Sequence, residues 1–167
     1  MACTPQHRLL VSGAVMFLFF GLIPALPPSY FGAPGVRHMY TLHIEAITNA
    51  LMLFAVSYLL DRVTFGCAFK CAVELLSNVG AWMNVFPWVL GAYTGAVFTM
   101  GEGQVAVAHN EPPENNAEIC GYMEKMLICC ALADILAWSL LVIGLVGACC
   151  TACTPQHAPV TPRKKNK

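Results

Sequence analysis

The run Leu42-His43-Ile44-Glu45-Ala46-Ile47-Thr48-Asn49-Ala50 opens an apolar segment that continues to Leu60. Its reading decides the fold. The segment from about Tyr40 to Leu60 has the length of roughly 20 residues that a helix needs to cross a bilayer. It nevertheless carries a histidine, a carboxylate and a carboxamide at its head. Ionisable groups inside a bilayer are costly, so these are functional candidates by default. No strand-like alternation of apolar and polar residues is present, and a helix satisfies its backbone polar groups internally.

Three more apolar stretches lie on either side: about Leu9 to Leu26, ended by Pro27-Pro28; about Cys71 to Met100, with Pro87 inside it; and about Tyr122 to Cys150. Pro87 predicts a kink or a tilt. Composition agrees with membrane residence. Hydrophobic residues make up 57% and charged residues 11%, whereas a soluble domain carries about a quarter charged residues. The fold class expected is all-α, a bundle of four transmembrane helices over residues 9–150. Short tails at 1–8 and 151–167 flank it. A signal peptide is the rival reading of 9–26; a single Arg8 before it and a long apolar run favour a retained helix.

Four spans place both termini on one side. Arg8, Arg62, Lys70, Arg163, Lys164, Lys165 and Lys167 fall with the termini and the loop between the second and third spans; Arg37 and Lys125 fall opposite. Seven against two predicts cytosolic termini. The acidic loop 101–121 then faces the other side. The basic tail is short and has no interleaved aromatics, so nucleic acid is not an expected partner. The lipid bilayer is.

Nine cysteines invite a disulfide reading, but their placement opposes it. Cys129 and Cys130 lie in an apolar run, Cys67 and Cys71 flank the loop after the second span, and Cys120 falls in the polar loop. Cys149, Cys150 and Cys153, beside the basic tail, read as an S-acylation site or as small packing residues at a helix end. Ala2-Cys3-Thr4-Pro5-Gln6-His7 recurs as Ala152-Cys153-Thr154-Pro155-Gln156-His157. The repeat is too short to be a folding unit.

Helical rotation of about 100° per residue puts Glu45 and Asn49 on one face and turns His43 away from Asn49. A cofactor lying along the helix, or a neighbouring protomer, is needed to bring all three together. Glu74, Asn78 and Trp82 form a second stripe in the third span, with Asn84 off it. Asn78 and Asn84 are candidate polar lining, or they bond across helices. Asp134, paired with Trp138, reads as a buried acid bonded to another helix. His38 is expected in the loop before the second span; His7, His109 and His157 read as solvated. No second histidine lies deep in another span, so a haem here takes His43 as its one axial ligand and keeps the other iron face open for a substrate oxygen.

The pattern His43-Ile44-Glu45-Ala46-x-x-Asn49-Ala50 resembles bacterial hydroxylaminobenzene mutases, which read roughly His-Leu-Glu-Gly-x-x-Asn-Gly at the same place. The related styrene oxide isomerases share the His-x5-Asn spacing without the glutamate. Ser77-Asn78-Val79-Gly80 resembles a Ser-Asn-Val-Gly run in the isomerases. The resemblance covers about residues 9–150. It implies a membrane homotrimer with haem b between subunits, His43 as axial ligand and Asn49 at a small aromatic substrate. A tyrosine of the isomerase site maps to Trp82, and an indole N–H donates but has no phenolic oxygen. Epoxide isomerisation is therefore in question. The glutamate points to the mutase branch, which moves a hydroxyl from nitrogen to the ring of an arylhydroxylamine. The mechanism expected has Asn49 orienting the substrate oxygen, Glu45 moving the proton and Trp82 packing on the aryl ring. Two other readings stand beside it: the same fold without activity, and a non-enzymatic four-helix scaffold of the claudin or tetraspanin kind. The scaffold reading expects paired exterior cysteines, and the polar loop holds Cys120 alone.

Overall fold

The structure, a computed structural model, describes residues 4–23, 36–96 and 114–153. Among them every regular element is a helix. Helix α1 (Pro5–Val15) continues directly into a π-helical segment (Met16–Leu22); α2 spans Val36–Leu60, α3 Cys67–Thr94 and α4 Asn116–Cys153. Pro27-Pro28, most of the acidic loop, residues 154–157 of the repeat's second copy and the basic tail lie outside the described residues.

Local chemistry explains the helix ends. The Thr4 hydroxyl accepts the His7 N–H at 3.3 Å, and Pro5 occupies the first helical turn, where no N–H is required. Helix α3 runs on through Pro87 and stops at Gly95, which takes the left-handed conformation (φ 70°) and returns its N–H to the Gly91 carbonyl at 3.0 Å. At 1.5 Å per residue, the 38 residues of α4 make about 57 Å, longer than a bilayer's hydrocarbon core.

Helices α1, α2 and α3 pack in a triangle, with α2 antiparallel to both neighbours. Close approach depends on small residues, as is usual where helices associate without a hydrophobic drive. A Cβ on Gly13 would stand 2.7 Å from the Phe54 ring, and one on Gly21 2.9 Å from Ile47. Leu9, Met16, Leu53, Leu60 and Val85 fill the triangle's interior. Helix α4 lies antiparallel along α3 and has only sparse contact with α1 and α2. The molecule is therefore three packed helices with a fourth laid on the outer side of α3.

Among the described residues two helices are long and apolar enough to cross a membrane: His38–Leu60 and Asn116–Cys150. Against 39% for the first, only 22% of the most apolar window of the second is buried. Its outward face carries Ile128, Leu132, Ile135, Val142, Ile143 and Val146, each more than half exposed.

Several boundaries differ from expectation. The first helix begins at Pro5, and its later half is π-helical. Helix α3 starts at Cys67 and ends at Thr94 rather than near Met100, because Gly95 turns the chain while the composition is still apolar. Cys67 and Cys71 therefore sit in the opening turns of α3 instead of flanking a loop. Cys120 belongs to the first turns of α4, not to the polar loop. His38 is in α2 and is 8% exposed, not interfacial in a loop.

Candidate functional site

His43 projects from α2 towards the π-helical segment, where its Nδ1 donates to the Gly21 carbonyl at 2.6 Å. The last carbonyls of a helix lack intrahelical partners, so Gly21 has an acceptor to give. Because a carbonyl only accepts, Nδ1 is the donor here, and Nε2 is the ring nitrogen left to serve as a ligand atom. Metal-binding histidines are oriented in this way, their other nitrogen bonded to a carbonyl or carboxylate. The side chain is half-buried. On the donor chemistry, His43 fits an axial ligand to haem.

Glu45 and Asn49 take other directions. The Asn84 amide of α3 donates to the Glu45 carboxylate at 2.8 Å, a bond that crosses the α2–α3 interface. Asn49, 4% exposed, turns back on its own helix and donates to the Glu45 backbone carbonyl at 2.8 Å. The amide still has its carbonyl oxygen and a second N–H. Asn84 thus joins Glu45, and His43 stays on a separate face, as the helical rotation requires.

The stripe Glu74, Asn78 and Trp82 turns towards α1. Glu74 binds the Arg8 guanidinium at 2.7 Å, and this hydrogen bond raises the Arg8 pKa above its ordinary value. Asn78 donates to the Glu74 carbonyl at 3.0 Å and to its carboxylate at 3.3 Å. The Trp82 indole N–H goes to the Ser12 hydroxyl at 2.9 Å. Around the indole, Phe20 packs edge-on at 5.5 Å between centroids and Phe86 at a 30° tilt and 5.4 Å. Phe20 and Gly21 adjoin on the π-helical segment, so that segment touches both Trp82 and His43. π-Helical turns are rare and occur often at functional sites.

Neither a protein-family model nor a curated protein matches the chain.

Two groups depart from their expected surroundings. Among the described residues Asp134 has no hydrogen bond to another helix. Its carboxylate receives the Cys130 thiol of its own helix at 3.5 Å and lies against Gly80 of α3, in the place where a Cβ would stand. His38 bonds the Ala96 carbonyl at 2.6 Å and lies beside the Trp88 ring, pinning the start of α2 to the end of α3. Ser12 and Gly21 were missed. Ser12 is detectable by the criterion used for the second span, a polar side chain in an apolar run. Gly21 is not, because its contribution is a backbone carbonyl at the end of the π-helical segment.

Proposed function

We propose that the chain is a multi-pass membrane isomerase of the hydroxylaminobenzene mutase and styrene oxide isomerase type. It moves a hydroxyl within an arylhydroxylamine, or isomerises an aryl epoxide. The observation that carries this reading is the His43 Nδ1 bond to the Gly21 carbonyl, which leaves Nε2 ready to hold haem b. A haem held there by His43 would supply Lewis-acid polarisation of an N–O or C–O bond. The chain's own groups do the rest. Asn49 orients the substrate oxygen through its amide. Glu45 takes and returns the proton at its carboxylate, which Asn84 holds in place. Trp82, its N–H directed to Ser12, offers a ring face and not a donor; with Phe20 and Phe86 it packs against the aryl group.

Four membrane spans, cytosolic termini and a homotrimer complete the reading. The apolar outer faces of α2 and α4 support the spans. The bias of basic residues supports the orientation. The divergence of His43 from Asn49 supports a site shared between protomers.

A second reading, a non-enzymatic helical scaffold, is favoured by one observation: Asn78, Asn84 and Trp82 all direct hydrogen bonds within the chain. Incubation of protein-containing membranes with phenylhydroxylamine and with styrene oxide separates the two. Aminophenol or the aryl aldehyde, absent from control membranes, is the result expected of the isomerase. No product from either substrate, in haem-supplemented protein, contradicts the isomerase and leaves the scaffold or the same fold without activity.

A further inference from the structure

We propose that Cys67 and Cys71 form a redox-active dithiol at the start of α3, closed to a disulfide by exchange with a small-molecule disulfide such as glutathione disulfide. The two sulfurs lie 3.9 Å apart, one helical turn from each other. Both are reachable: Cys67 is exposed and Cys71 is half-buried. They differ in this from Cys130, which is buried with its thiol on Asp134.

Closure asks the helix to yield. On a regular helix, Cβ atoms four residues apart stand roughly 5–6 Å from each other, and a disulfide needs about 3.5–4.5 Å. The give is available at Cys67. It is the first residue of α3, so its N–H has no intrahelical bond to lose. Gly66 before it has no side-chain cap and no atom within 4 Å of where its Cβ would be. Cys71 is the better-held sulfur. The Arg8 guanidinium of α1 reaches it at 3.8 Å while binding Glu74 at 2.7 Å. The Cys71 sulfur is thus placed by a contact from α1 that Cys67 does not share in the described geometry.

The exchange then balances. Cys71 gives up its proton and attacks one sulfur of glutathione disulfide. The Cys71–glutathione bond forms, and the first glutathione leaves with that proton. Cys67, losing its own proton, attacks the Cys71 sulfur and displaces the second glutathione. The protein dithiol is oxidised by two electrons, and one disulfide is reduced to two thiols.

Lys70 lies between the two cysteines, so trypsin separates their peptides unless a disulfide holds them together. Full-length protein in detergent is treated with glutathione disulfide, blocked with N-ethylmaleimide, digested without reductant by trypsin and a glutamate-specific protease, which cuts after Glu74 and so parts Cys71 from Cys120, and analysed by mass spectrometry. Wild type is expected to yield the linked pair of peptides, released by dithiothreitol. Cys67→Ser is expected to keep glutathione on Cys71, with no partner to displace it. Wild type in which both thiols still take maleimide, or in which glutathione remains on Cys71, overturns the proposal. So does Cys67→Ser that carries no adduct on Cys71.

Discussion

Helices α2 and α4, the two that are long and apolar enough among the described residues to cross a membrane, are held in opposite ways. Helix α2 sits between α1 and α3 and is tied to both by polar groups: His43 to Gly21, Ser57 to the Gln6 carbonyl, Glu45 to Asn84. Helix α4 is longer and more apolar, and it rests on α3, where its carboxyl Asp134 lies against Gly80. Apolar composition sets where a helix resides; it does not say which neighbour the helix chooses. Specific polar bonds set that for α2, and steric fit sets it for α4.

The largest effect is expected where α4 meets α3. Gly→Ala inside a helix ordinarily stabilises by roughly 0.5–1 kcal/mol. Gly80→Ala is expected to do the reverse, losing about 1–3 kcal/mol by overpacking against the Asp134 carboxylate. Adding Asp134→Ala should recover part of the loss, with a coupling of about 0.5–3 kcal/mol in thermal or denaturant unfolding. Additive losses would mean that α4 does not seat on Gly80.

On the α2 side, Glu45→Ala leaves the Asn84 amide without its acceptor and is expected to cost about 1–3 kcal/mol. Glu45→Gln keeps an acceptor oxygen and should cost less; equal losses would remove this bond from the account. Smaller again, Trp82→Phe deletes the donor to Ser12 while keeping an aromatic ring, an expected loss of about 1 kcal/mol. Ser12→Ala should then add nothing to Trp82→Phe. The least effect is expected of Arg8→Ala, since the Arg8 side chain is 43% exposed and its pair with Glu74 is screened by salt. Whatever loss appears should shrink as ionic strength rises.

The helical class was legible because 57% hydrophobic residues fall in long runs without strand alternation. The separation of His43 from Asn49 was legible as well, since it follows from helical rotation alone. Other features were hidden for physical reasons. The end of α3 lies inside an apolar run, and only the left-handed Gly95 marks it. The winding of Met16–Leu22 leaves no trace in a run of Met, Phe, Leu and Gly. Asn84 lies off the Glu74–Asn78–Trp82 stripe, and its partner Glu45 belongs to another helix, so no periodicity within one helix pairs them. The choice of α3 as the seat of α4 depends on Gly80 being free of a side chain, and a single glycine in an apolar helix does not announce a carboxylate opposite.

The claim that His43 is a cofactor ligand is open to one direct measurement, the visible absorption spectrum of the detergent-purified protein supplied with haem. The account predicts a Soret band in the wild type that is lost in His43→Ala, with the variant's helical content unchanged. A wild type without the band, or His43→Ala with the band intact, would contradict it.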